Sequence, residues 1–412
     1  MTINATPKLS EEARAALDAV LAKHLMTTPA VAFGVTTKDG IIYTGYRGDR
    51  VYSKPEEGQV DETTTYQIYS MTKLVTSLAV LQQVEAGVLS YDDPAIVQKY
   101  APELVKQRIL ISYDEETKEA KFADLERPPT VRDLVTHTSG QVYFFFDPKL
   151  YAYDRDHGLL AMFGSETGQF AQPFLFSPGT RLAYGTGLDW AGIILERATG
   201  QDLESYFRQH IFDPLGLSQN TTFHNTPEVV AKRQHTVFRQ PDGSLVLGKP
   251  QRPIDVEVKG QLSGGAGLWS TMDDYLLLLR GVLRAKQPGG IVSPFGFELL
   301  FKDALPADTP GGPQCHAELS AFLEVLASFS SLEHPASVGH SIACVVNLSD
   351  TKGRKAGSGA WGGAANTQWC IDPTTGIGIE RALVSGLATE MGTEPFAECW
   401  KELEQVLFQH LA

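Results

Sequence analysis

The chain has 412 residues, 42% of them hydrophobic and 20% charged, with a formal net charge of −14. That is ample for a large buried core, and the length predicts two or three domains. The acidic balance, with no basic stripe, excludes a nucleic-acid binder, and no run of about eighteen apolar residues offers a membrane-spanning helix.

The N-terminal stretch MTINATPKLSEEARAALDAVLAKHL has no apolar signal-peptide core. Its periodicity predicts an amphipathic helix opened by a Ser10 cap. Residues 30–46 form two β-rich runs around Lys38-Asp39-Gly40, which reads as a hairpin. A polar, acidic loop leads to Thr65. Residues 66–87, YQIYSMTKLVTSLAVLQQVEAG, then place apolar side chains at Leu74, Val75, Leu78, Ala79, Leu81 and Val84, with Gly87 as a stop. That spacing predicts a helix. From Asp92 helical segments dominate, at 131–134, 187–198, 203–211 and 272–283, and residues 305–314 (LPADTPGGPQ) form the best linker. Strand signals return at 341–348, 367–371 and 376–384, and residues 395–411 close the chain as an amphipathic helix. Sheet-forming segments therefore sit at the two ends with helices between. The fold predicted is α/β: an antiparallel sheet flanked by helices, with an inserted all-helical domain. Residues 1–88 and 305–412 make the α/β sandwich, and 89–304 the helical domain.

Four cysteines, Cys315, Cys344, Cys370 and Cys399, lie far apart without metal-ligand spacing. They read as free buried thiols in a reducing, cytoplasmic compartment.

Chemistry concentrates at Ser70 and Lys73. On a helix, positions i and i+3 share a face, so hydroxyl and amine can meet. A serine at a helix start also lies where unpaired N–H groups favour developing negative charge. The lysine can serve as base only if burial or positive neighbours lower its pKa. The pattern S-x-x-K is weak by itself: a second copy, Ser349 to Lys352, occurs in a polar, turn-like segment and is read as coincidence. Tyr184, after the Pro178-Gly179 turn and before a helix, could share a proton with Lys73 or be an ordinary core tyrosine. The glycine-rich run 357–369, GSGAWGGAANTQW, could bring a free backbone N–H to an oxyanion or simply turn before a strand. Tyr143, Phe144 and the phenylalanines after them could wall an apolar pocket or join the core. His137 reads as structural, since a lysine base makes a histidine unnecessary. The run Gly339-His340-Ser341-Ile342-Ala343 imitates a hydrolase nucleophile elbow, but no helix follows Ser341.

Taken together, Ser70-Met71-Thr72-Lys73, the stretch TVRDLVTHTSG ending at Gly140, Pro178-Gly179 leading to Tyr184, and Trp361-Gly362-Gly363 occur in an order that resembles the serine β-lactamase and penicillin-binding superfamily. The likeness is greatest to class C-like family VIII carboxylesterases and the related fungal acyltransferases of statin biosynthesis, and it spans most of the chain. It implies that Ser70 is the acylated nucleophile, Lys73 its base and Tyr184 a second proton carrier. It implies an oxyanion hole from the backbone N–H groups of Ser70 and Ala364. Tyr143, Phe144, Trp361, Gly362 and Gly363 are the candidate substrate contacts. Two positions depart from the pattern. The asparagine expected two residues after the tyrosine is Thr186, and the Lys-Thr-Gly triplet of β-lactamases is Trp361-Gly362-Gly363. The cation that would hold a β-lactam carboxylate is thus missing, which favours neutral esters.

The activity expected is that of a serine carboxylesterase acting on small to medium acyl esters through an acyl-enzyme. The rivals are an acyltransferase using an alcohol or amine, a weak β-lactamase, and a non-catalytic binding homologue. This reading calls for a small-molecule ester as partner, with no cofactor, metal, membrane or nucleic acid.

Overall fold

The structure is a computed structural model that describes residues 7–160, 167–248, 258, 260–307, 311–325, 337–382 and 394–411. Seven strands form one sheet in the order Ile41–Gly48, Ala30–Thr37, Ile377–Ala382, Thr367–Asp372, Gly359–Gly363, Val345–Asn347, Val338–His340. Every pairing is antiparallel, so the N-terminal hairpin closes directly onto strands from the last quarter of the chain.

The strand Ala30–Thr37 is buried at every position because helices cover both faces of the sheet. Its side chains alternate between two cores. Phe33 and Val35 face the helices Glu11–His24 and Glu394–His410, which pack on one another, and Phe33 meets Trp400 edge-on at 6.5 Å. Ala32 joins the other core, where the helix Met272–Arg284 crosses the same strand and Ile377–Ala382. Ser10 accepts a hydrogen bond from the Ala13 N–H at 3.1 Å and caps the first helix, as its position predicts.

The helix Thr72–Glu85 is buried without a break from Thr72 to Leu81. A helix enclosed on all sides belongs inside the molecule. It packs against Gly187–Thr199 and runs through the largest core.

The stretch 89–304 holds most of the helices but is not purely helical. Ile109–Tyr113 pairs with Ala120–Ala123, and Val237–Arg239 with Leu245–Leu247. In the first pair the Asp114 carboxylate accepts from the N–H groups of Glu116 and Thr117, an aspartate turn that reverses the chain without a helical or strand-like pattern to announce it. Met272–Arg284 also lies in this stretch yet packs on the sheet.

The strand expected over 341–348 is two strands, Val338–His340 and Val345–Asn347. Between them Ser341 Oγ accepts from Ala343 N and Cys344 N, both at 3.1 Å, which holds a turn inside an apolar run. Within the linker expected at 305–314, the helix Gly312–Val325 already begins; residues 308–310 of that linker lie outside the described residues. The expected strand at 376–384 is observed as Ile377–Ala382, its last two positions lying outside the described residues. All four cysteines are free and buried. No described helix is long and apolar enough to cross a membrane.

Candidate active site

The approach to Ser70 is fixed by backbone pairing. Thr65–Gln67 pairs with Trp269–Thr271, and the Ile68 N–H continues the ladder to Leu268 O at 3.1 Å. At Tyr69 the backbone turns through φ +43°, an unusual value for a non-glycine residue and one that only a well-held surrounding sustains. Tyr69–Met71 then forms a single 3-10 turn before the α-helix begins at Thr72. Ser70 therefore sits in the turn just ahead of the α-helix. Tyr275 donates to Met71 O at 2.9 Å, and Thr72 Oγ1 accepts from Leu268 N at 3.1 Å, pinning the turn from both sides.

Lys73, only 2% exposed, points its Nζ at three acceptors: Ser70 Oγ at 3.1 Å, Tyr143 Oη at 3.1 Å and Gly265 O at 2.8 Å. Burial pushes its ammonium down to about 7, against the opposing pull of the Asp189 charge. A buried lysine so placed holds a substantial fraction of free amine at neutral pH. Tyr184 Oη donates to Ser70 Oγ at 2.5 Å, and the Lys73 Nζ lies 4.6 Å from the centre of its ring. Burial raises the Tyr184 phenol above its ordinary range, while its hydrogen bonds to Ser70 and Trp361 pull the other way. It is a neutral proton donor at pH 7.

A second tyrosine closes the far side of Lys73. The Tyr143 phenol, pushed well above its usual value by burial and then by Asp189, donates to the Asp189 carboxylate. Asp189 is 2% exposed and also accepts from Ser263 Oγ at 2.6 Å and Gly265 N at 3.1 Å. Its carboxyl is raised by burial, and the Lys73 charge and these donors oppose that rise. The result is a continuous chain Asp189–Tyr143–Lys73–Ser70–Tyr184.

Tyr184 is held by its main chain as well as its ring. The Tyr143 N–H donates to Tyr184 O at 3.2 Å, and the Ala183 N–H to His137 O at 3.0 Å. This close crossing is possible only because residue 185 is glycine: a Cβ there would lie 1.9 Å from Gln141 O. The His137 ring, with φ +60°, sits 4.8 Å from the Tyr184 ring and stacks on Trp361 at 5.9 Å. Burial, then His340 and Lys73, hold its pKa well below 6.5, so it is a neutral wall rather than a base.

Trp361, Gly362 and Gly363 end the strand Gly359–Gly363 beside the turn that carries Ser70. A Cβ on Gly363 would come within 2.3 Å of Ile68 O, so the strand end can lie against the segment entering Ser70 only as glycine. Ala364 follows directly. Thr186 is buried, and its Oγ1 has no hydrogen-bond partner. Phe144 packs with Val142 and Leu150. Phe145, stacked on Tyr143 at 5.2 Å, and Phe146, 6.1 Å from Tyr184, are 52% and 45% exposed and form an apolar apron at the mouth. Lys352 of the second S-x-x-K is exposed in a loop, and Ser341 lies in its own turn. Among the described residues no group of His, Cys, Asp and Glu could hold a metal ion.

Asp189 and the Gly265 carbonyl are absent from the sequence-derived site. Both left a trace: a carboxylate inside the apolar run LDWAGIIL, and the small-residue run SGGAG just before a strand and helix. An acid buried in an apolar helix face needs partners, and here they are Ser263 Oγ, Gly265 N and Tyr143, with the Lys73 charge nearby.

A family model described as Beta-lactamase matches residues 19–384. The chain is 29% identical over 358 residues to the ML-236A carboxylate methylbutanoyltransferase of Penicillium citrinum, covering 84% of this chain and 83% of that protein. It is 28% identical over 372 residues to the lovastatin esterase of Penicillium rubens, covering 86% and 89%. Among solved structures, unliganded simvastatin synthase from Aspergillus terreus superposes with a TM-score of 0.81 at 25% identity, over 96% of this chain and 97% of that one. The chain belongs to the Beta-lactamase family and is an enzyme of the serine-hydrolase type.

Proposed function

We propose that the protein is a serine carboxylesterase that forms an acyl-enzyme on Ser70. The observation that carries this is the convergence of Lys73 Nζ and Tyr184 Oη on one hydroxyl, with the lysine held near pH 7. The free amine of Lys73 takes the Ser70 proton as Oγ bonds to the ester carbonyl carbon. The oxyanion rests on the N–H groups of Ser70 and Ala364, the role the strand-end placement of Gly363 supports. Tyr184 gives its proton to the departing alkoxide as the C–O bond breaks, and the proton held on Lys73 makes up that loss. Water then adds to the acyl-enzyme and Ser70 recovers its hydrogen. The exposed phenylalanines at the mouth support an apolar acyl or alcohol group. Four buried cysteines outside any disulfide support a reducing compartment such as the cytoplasm.

Hydrolysis of p-nitrophenyl butyrate by wild type and Ser70→Ala tests this reading. Loss of turnover and of fluorophosphonate labelling in the variant is expected; equal rates would overturn it. A second reading, transfer to an alcohol, is favoured by the methylbutanoyltransferase relatives. Product analysis with a competing alcohol distinguishes it. Weak β-lactamase activity is the remaining alternative, and a nitrocefin assay checks it.

A further inference from the structure

We propose that a small pocket behind the nucleophile turn binds a carboxylate carried by the substrate, with Arg233 as its cation; this deepens the esterase reading and rests on it. The pocket has a volume of about 20 Å³ and is lined by Gln67, Tyr69, Arg233, His235, Trp269 and Ala365 among others. Two of its lining residues are chain neighbours of the proposed reaction centre: Tyr69 immediately precedes Ser70, and Ala365 immediately follows Ala364. Its size suits one or two water-sized groups, which is the scale of the two oxygens of a carboxylate.

Two donors at this pocket have no acceptor. Arg233 Nε and Gln67 Nε2 are both buried and make no hydrogen bond. Gln67 cannot turn its amide to hide the nitrogen at no cost, because its Oε1 accepts from Tyr69 Oη at 2.7 Å. Arg233 spends one terminal nitrogen on Val230 O at 2.5 Å and forms no ion pair among the described residues. Its surroundings do not settle it: burial disfavours its charge, Arg50 opposes it, and Glu57 attracts it. Arg50 itself is occupied by Ala231 O and Glu57 O. An unsatisfied buried donor is costly, and a cation beside an unpaired amide is answered best by a two-oxygen anion. The strand Gly359–Gly363 offers no cation of its own, so Arg233 brings from another element the charge that an anionic substrate needs. Selection thus works by charge at one end of the ester, while the phenylalanine apron takes the apolar part.

Two matched ester pairs test this. In one the acyl chain carries the charge, p-nitrophenyl hydrogen adipate against p-nitrophenyl hexanoate; in the other the alcohol half does, 4-butanoyloxybenzoate against phenyl butyrate. In whichever pair the carboxylate reaches the pocket, Arg233→Met is expected to lower kcat/KM for the charged ester at least tenfold, mainly through KM. Its neutral twin should stay within twofold, and Arg233→Lys should recover part of the loss. A charged-to-neutral ratio unmoved by Arg233→Met in both pairs, or an equal fall for both members, would overturn the proposal. Calorimetric titration of adipate into the Ser70→Ala protein, with and without Arg233→Met, reads the pocket without catalysis. Binding weakened at least tenfold by the substitution is expected. Equal binding, or none to either protein, overturns the pocket whatever Ser70 proves to do, whereas turnover surviving Ser70→Ala overturns only the parent reading.

Discussion

Replacing Asp189 with asparagine keeps the shape of the side chain and removes its charge. In the folded protein the Lys73 ammonium titrates at about 7 against an ordinary 10.5. That shift corresponds to about 5 kcal/mol of disfavour for the charged form. About half of Lys73 is then free amine at pH 7, where an ordinary lysine would hold roughly one part in three thousand. For wild type, kcat/KM with p-nitrophenyl butyrate should therefore fall on the acid side with an apparent pKa of about 7, about tenfold per pH unit below it. The nearby imidazoles do not blur this limb: burial holds His340 at about 4 and His137 well below 6.5. Asp189 acts on Lys73 in the raising direction, so Asp189→Asn should move the limb to lower pH. The plateau should fall at the same time, because Tyr143 loses the anionic acceptor that orients it. The assay is initial rate over pH 5 to 9 for both proteins with spontaneous hydrolysis subtracted. A wild-type profile flat over that range, or a limb that stays fixed or rises in Asp189→Asn, would refute the assignment of Lys73 as base.

Tyr184→Phe should reduce kcat/KM by about 10²–10⁴, the range for a lost general acid, while Tyr143→Phe, which leaves the Ser70–Tyr184 bond in place, should cost less; steady-state rates at pH 8 rank the two. Glu404→Ala should destabilise the fold by about 3–5 kcal/mol, because it strands Arg354, its buried partner at 2.6 Å, where the C-terminal helix meets the sheet. Urea unfolding followed by circular dichroism measures this, and a midpoint unchanged from wild type would contradict it.

Much of the architecture could be read from local patterns because those patterns were strong. The Lys38-Asp39-Gly40 turn between alternating runs, the Ser10 cap and the apolar spacing after Lys73 each name one structure. Segments went astray where an apolar run has two meanings. Residues 341–348 look like one strand, but the Ser341 hydroxyl satisfies two backbone donors and reverses the chain. The short pair Ile109–Tyr113 and Ala120–Ala123 is held by an aspartate turn and by hydrogen bonds from far along the chain, Leu110 N–H to Phe174 O and Lys149 Nζ to Leu110 O. Ser70, Lys73 and Tyr184 were legible as residue types in order. Asp189 and Gly265 were not, since their meaning lies in which side chain they touch.

That division follows from how the site is built. Four stretches of chain bring the groups together: residues 70–73 supply the hydroxyl and the amine, the loop at Tyr143 one phenol, residues 184–189 the second phenol and the Asp189 carboxylate, and the run at Gly265 a carbonyl. None of these groups is reactive where it stands in the chain. In the proposed mechanism the lysine becomes a base only because the core closes over it, and the core closes only if its remaining hydrogen bonds find acceptors. Tyr143, Gly265 O and Ser70 are those acceptors, so the groups that make burial tolerable are the same ones that aim the amine. Asp189 then keeps burial from going too far: it raises a lysine that desolvation alone would drive lower, leaving it near the pH at which a base both accepts and releases a proton readily. On the proposed mechanism, burial sets the working pH of Lys73, and a carboxylate two groups removed from Ser70 moderates it.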